Sequence, residues 1–167
     1  MPGAIYRYLS EDHDRIDALL ERAVGKPSAI DTEPYSEFRK GLLRHIAMEE
    51  KILFPAIEKW RPGENTALVK RLHIDHGVIV SLLAPPPTPS IILTIRAILA
   101  SHNPLEEGGG GLYGLFEEMA GPEMESMLAQ LKATPAVPVL PNNAKPEVLE
   151  AAKSAVAAAG YEFKSSP

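Results

Sequence analysis

The stretch LLRHIAMEEKILFPAIE, residues 42–58, decides how the rest of the chain is read. Together with Phe38 just before it, Leu42, His45, Glu49, Ile52 and Ala56 recur at spacings of three and four, so they share one face of a helix. That face is apolar except for one imidazole and one carboxylate. His45 and Glu49 lie one turn apart and point the same way. Burying an unpaired carboxylate costs on the order of several kcal/mol, so the pair predicts a helix that meets positive charge on its buried side. The helix is predicted over about Pro34 to Trp60, stopped by Arg61-Pro62-Gly63. Pro55 cannot donate to the carbonyl four residues back, which predicts a late kink.

The same periodicity recurs on both sides. A first helix spans about Ile5 to Val24, with Leu9, Ile16, Leu20 and Ala23 on one face beside His13. A third spans about Glu64 to Ala84, with Val69, Leu72, Ile79 and Leu83 beside His76. The proline-rich APPPTPS (84–90) is a stiff connector to a fourth helix, which carries Ile95, Ile98, Leu99, His102, Leu105 and Glu106. A short helix over about Glu123 to Lys132, a proline-rich linker and a terminal helix over about Pro146 to Gly160 follow. Strand signals are nearly absent. The expected fold is all-α: an antiparallel up-down-up-down four-helix bundle with a C-terminal helical extension. Residues 1–133 form the bundle with its trailing helix, and 134–167 form the linker and a terminal helix packed on it.

The histidines repeat with the helices. His13 precedes His45-x-x-x-Glu49, and His76 precedes His102-x-x-x-Glu106, in SHNPLEEGGGG (101–111). Both pairs run on as His-x-x-x-Glu-Glu. Each half of the chain thus supplies a lone histidine and a His/Glu pair. Folded together, the halves offer four imidazoles and two carboxylates, a mixed nitrogen and oxygen set suited to two first-row metals, iron above all. No glutamate has a histidine three residues later, which excludes the Glu-x-x-His pattern of ferritin-like bundles.

Composition narrows the function. The chain has 167 residues, enough for one cored domain. Its net charge is -5 and it has no Lys/Arg-rich run, so nucleic acid is not an expected partner. It has no cysteine, which removes thiolate metal sites, disulfides and cysteine nucleophiles. No secretory signal pattern and no apolar run of membrane-spanning length is present, so a cytoplasmic protein with no membrane partner is expected. No Ser-His-Asp order or phosphate loop stands out, and no catalytic residue is assigned.

On EDHDRIDALL, LLRHIAMEEKILFPAIE, LHIDHGVIVSLL and SHNPLEE the chain resembles the hemerythrin-like, or HHE cation-binding, family over about residues 5 to 120. The resemblance implies His13, His45, Glu49, His76, His102 and Glu106 as ligands of a non-haem di-iron centre. Glu49 and Glu106 would bridge, alongside an oxo or hydroxo group, and zinc or manganese can substitute. It also implies binding or sensing of O2, NO or iron itself, with peroxide as a further small ligand. A di-iron peroxidase or NO-reducing enzyme is an alternative, as is an iron-stabilised regulatory module whose protein partner the sequence does not identify. Oxygen carriers of the family have a further histidine where Leu72 stands, and the adjacent His73, about 60° round the helix from His76, is a candidate seventh ligand.

Pro104 and the glycines 108–111 interrupt helix four. Glycine disfavours helix by about 1 kcal/mol per residue, so two outcomes are open. The helix can bend or form a π-bulge there and open a channel to the metals, or it can break, with a fresh helix near Leu112. Glu50 and Glu107 stand where they can support imidazole N–H groups or face water. Asp12, Asp14 and Asp75 are expected to face water, and Tyr113 to be an ordinary core or surface aromatic, with a place near the site as the alternative.

Overall fold

Helix two widens into a π turn just ahead of Pro55. In the computed structural model, which describes residues 1–165, α2 (Thr32–Met48) passes into a π-helical turn over Glu49–Leu53 and continues as α3 (Phe54–Trp60). The Phe54 amide bonds to the Glu49 carbonyl, five residues back. An extra residue in the turn shifts the bonding frame just ahead of Pro55, which has no amide hydrogen to offer. The last two residues of the 134–167 extension lie outside the described chain.

The remaining elements are α1 (Ala4–Ala23), α4 (Thr66–Leu83), α5 (Pro89–Glu107), α6 (Leu112–Ala120), α7 (Met124–Lys132) and α8 (Pro146–Ala158), with a 3-10 turn at Gly121–Glu123. Their ends are satisfied by named side chains. Glu117 of α6 accepts from the amides of Gly3, Ile5 and Tyr6 and so caps α1 from another element. Asp31 accepts from Glu33 at the start of α2, and Thr88 from Ile91 at the start of α5. At the end of α4 the linker does this work: Asn142 donates to the carbonyls of Leu83 and Pro85 at 3.1 and 2.9 Å. The described residues are all-helical, without strand.

Helix α5 continues through Pro104 and ends at Glu107; a fresh helix begins at Leu112. The π-bulge expected at Pro104 to Gly111 is absent: the glycines break the helix in a turn, and α6 goes on along α1 towards its start, where Glu117 meets Gly3. Gly110 takes φ +77°, open to glycine at little cost. A Cβ on Gly111 would sit 2.7 Å from the Glu106 carbonyl oxygen, so only glycine lets the backbone fold back that closely.

The core is two apolar blocks. One gathers Ile16, Leu20, Phe38, Ile79 and Ile95 with Ala152 and Val156 of α8. The other gathers Leu9, Leu53, Leu72, Leu112 and Phe116 with Leu131 of α7. On α1 and α4 the histidines fall between the residues given to one block and those given to the other, so a polar layer crosses the protein between two dry ones.

Candidate metal centre

The polar layer is assembled by α1 with His13, α2 with His45, the π turn with Glu49, α4 with His76 and α5 with His102 and Glu106. All but His13 are buried. Their donor atoms form two groups, His13/His45/Glu49/Glu106 and Glu49/His76/His102/Glu106, each with atoms within 4.8 Å of one another. Both glutamates belong to both groups, and each divides its oxygens between them. Glu49 Oε1 lies 3.5 Å from His45 Nε2, while its Oε2 lies 3.1 Å from His76 Nε2. Glu106 Oε2 lies 3.3 Å from His13 Nε2, while its Oε1 lies 2.8 Å from His102 Nε2.

Every imidazole is held from behind. A carboxylate meets each Nδ1 and leaves Nε2 aimed inward: Asp12 at 2.9 Å on His45, Glu50 at 2.7 Å on His76, Asp75 at 3.1 Å on His102, and Glu107 in close contact with His13. This fixes the tautomer and raises the basicity of the inward nitrogen. Glu50 and Glu107 therefore take the supporting role open to them. Asp12 and Asp75 do not face water as expected. Each precedes a lone histidine by one residue, and the next helix places the other histidine of its half within reach. The repeated Asp-His dipeptide was the available signal. Asp14 is exposed.

Three atoms of the layer, Glu49 Oε2, His76 Nε2 and Glu106 Oε1, are buried and, although each lies 2.8–3.1 Å from an opposite polar atom, make no hydrogen bond of ordinary geometry. A buried polar atom left unpaired costs about 1–3 kcal/mol. Three of them converging in one layer, flanked by two carboxylates and backed by four more, fit a shared cation. The electrostatics agree. Burial disfavours charge on His45, yet Glu49 and Asp12 outweigh it and push this imidazole up to about 10. His76, against burial, is raised to about 11 by Glu106, Glu49 and Glu50, and His102 to about 9 by Asp75 and Glu106. Glu49, although fully buried, is held well below the usual carboxylate range by His45 and His76. The layer demands positive charge and draws it from protons when nothing else supplies it.

His73 lies outside both groups. Its side chain is exposed and its Nδ1 meets Glu50 at 2.9 Å. The offset round α4 turns it from the layer, and Leu72 fills the adjoining position as a fully buried core residue. The sequence reading placed Tyr113 near the site only as an alternative; it is 0 % exposed with its hydroxyl inside the first group. Burial, then the charges of Glu49 and Glu106, push its phenol well above the usual range.

A cavity of about 20 Å³ adjoins the four histidines, room for about one water-sized molecule. Asp17, Leu99 and Asn103 line both this cavity and an outer groove of about 390 Å³. The approach to the layer thus lies between α1 and α5, one turn or more before the glycine run.

A model of the family described as Hemerythrin HHE cation binding domain matches residues 4–85. No curated protein and no solved structure matches the chain. The match takes in His13, His45, Glu49 and His76; the second His/Glu pair joins them through the geometry of α5. Among the described residues no helix is long and apolar enough to cross a membrane. Over residues 4–85, which carry four of the layer's six residues, the chain is thus similar to the hemerythrin HHE cation-binding domain family.

Proposed function

We propose that this protein holds two irons in the polar layer and binds or senses O2 or NO there. His13 and His45 would hold one metal and His76 and His102 the other, with Glu49 and Glu106 bridging. The observation that carries this reading is the division of each glutamate's oxygens between the two groups. The imidazole and carboxylate donors suit iron, and zinc or manganese can enter the same set. When bound, a pair of ferrous ions supplies electrons and an open position for a diatomic ligand.

The chain's own residues do the rest. Asp12, Glu50, Asp75 and Glu107 orient the imidazoles. The apolar blocks keep bulk water away, and the small cavity limits entry to small molecules. An antiparallel up-down-up-down order for the four long helical runs, with 134–167 as an extension, belongs to this reading and is supported by their short connections. Metal content of anaerobically purified protein, followed by an optical spectrum after exposure to air, tests it. Two irons per chain with the absorption of a coupled di-ferric pair are expected. One metal or none in a folded protein would sink the two-metal reading.

A second reading, an iron-stabilised regulatory module, is favoured by one contact. Tyr161, beyond α8, donates to Asp75, the carboxylate behind His102. Metal loss would then loosen the C-terminal extension. Hydrogen exchange in residues 146–165 with and without a chelator separates the readings: unchanged protection argues against the module.

A further inference from the structure

Tyr113 stands in the first turn of α6, directly after the glycine run. Had α5 continued as a helix, residue 113 would lie about 10 Å further along the axis than Glu106. The helix break and turn at Gly108 to Gly111 instead leave its hydroxyl at the layer, 3.3 Å from Glu106 Oε2. Three more donors surround it: Glu49 Oε1 at 2.7 Å, His45 Nε2 at 3.1 Å and His13 Nε2 at 3.2 Å.

These four atoms are the donors of the His13/His45 group, one from each residue. Donors about 2.1 Å from an octahedral metal stand about 3 Å from their neighbours, and the tyrosine oxygen keeps that spacing to all four. Two edges of the set itself are also near this value: His13 Nε2 to Glu106 Oε2 is 3.3 Å, and His45 Nε2 to Glu49 Oε1 is 3.5 Å. An oxygen with four neighbours at this spacing sits where the apex of a pyramid sits over its base. The ring is held there by burial and by contacts with Tyr6, edge-on at 6.0 Å, and His13 at 5.8 Å. Among the described residues no tyrosine hydroxyl stands so at the His76/His102 group; Phe54 stacks on His76, and Leu72, one turn before it, is a buried apolar side chain.

We propose that Tyr113 is a fifth protein ligand, a phenolate, to the iron held by His13 and His45, so that the two metals are unequal. This rests on the di-metal reading above. On binding, the phenol O–H bond breaks and its proton leaves to solvent; the oxygen lone pair forms the iron–oxygen bond, and no electron changes hands. The His13/His45 iron is then the more fully ligated one. The His76/His102 iron keeps the open positions and is the one a small ligand meets.

The test is the visible and resonance Raman spectrum of the ferric-loaded protein, beside Tyr113→Phe and Tyr6→Phe with iron content measured on each. Wild type and Y6F should show the phenolate-to-iron(III) charge-transfer band and tyrosinate ring modes. Y113F should bind iron and lose both signals essentially completely. A band that survives in Y113F, or two-iron wild type without tyrosinate modes, overturns the role of Tyr113 and leaves the di-metal reading standing. Wild type that binds no iron overturns both. Should Y113F not fold, the Raman spectrum of wild type decides alone.

Discussion

Asp75 joins His102 to the C-terminal extension: its Oδ2 meets His102 Nδ1 at 3.1 Å, and its Oδ1 accepts from the Tyr161 hydroxyl at 3.0 Å. Arg71 adds a contact to the same oxygen at 3.3 Å and lies over the Tyr161 ring. Asp75 is fully buried, so losing its partners leaves a charge that neither water nor protein compensates. Removing such a carboxylate typically costs 10–100-fold, on the order of one to two decades, in metal affinity. Asp75→Ala should weaken one metal by about that factor, and Tyr161→Phe by less, in a chelator competition titration. Equal loss of both metals would place the damage in the fold instead of the His102 half-site.

Glu49 and Glu106 each serve both groups. Glu49→Ala should therefore reduce metal content at both positions, whereas His102→Ala should spare the one held by His13 and His45. The metal-to-protein ratio after gel filtration distinguishes them. A Glu49→Ala protein that retains one full equivalent would contradict the bridging role.

The metal-free protein should be most stable between about pH 4.5 and 6.5. His102, His45 and His76 rise from 6.5 to about 9, 10 and 11 on folding. Their contribution is fully present below about 6.5 and is lost as pH climbs through 9 to 11. Glu49, lowered on folding, contributes above its unfolded value near 4.5, and that contribution is lost as pH falls through its folded value. Metal competes with the same protons, so loading should improve as pH rises. Melting temperature against pH, with and without chelator, reads both limbs. A metal-free curve that rises from pH 7 to 10 would contradict the imidazolium pairs.

Gly111→Ala should destabilise the protein by about 1–3 kcal/mol, the usual cost of a strained backbone. Its new Cβ would meet the Glu106 carbonyl oxygen at 2.7 Å. Because the same turn brings Tyr113 to Glu106, metal affinity should fall as well. Urea unfolding and a metal titration measure the two effects. A variant of wild-type stability would mean that the turn relaxes freely.

Leu99→Trp should slow ligand entry without lowering metal content, since Leu99 lines both the inner cavity and the outer groove. Stopped-flow mixing of the ferrous protein with NO should give a lower association rate than wild type. An unchanged rate would point to another approach to the layer.

The sequence by itself determined the helices, the two His-x-x-x-Glu pairs and the layer they share. Those follow from spacing within one helix, where residues four apart must face alike. His13 and His76 were legible for a related reason, as polar positions on otherwise apolar stripes. The supports behind the imidazoles were only half legible. Asp12 and Glu50 lie one residue from His13 and Glu49, about 100° round their helices, so spacing sends them sideways. Whether sideways means water or the imidazole of the next helix depends on where that helix packs. Helix two's widened turn and helix four's break were both written as proline and glycine, but the choice between bulge and break was not. Tyr113 was out of reach of periodicity altogether. Its place beside Glu49 and Glu106 depends on a helix break and turn whose path only the packing of α6 against α1 and α5 decides.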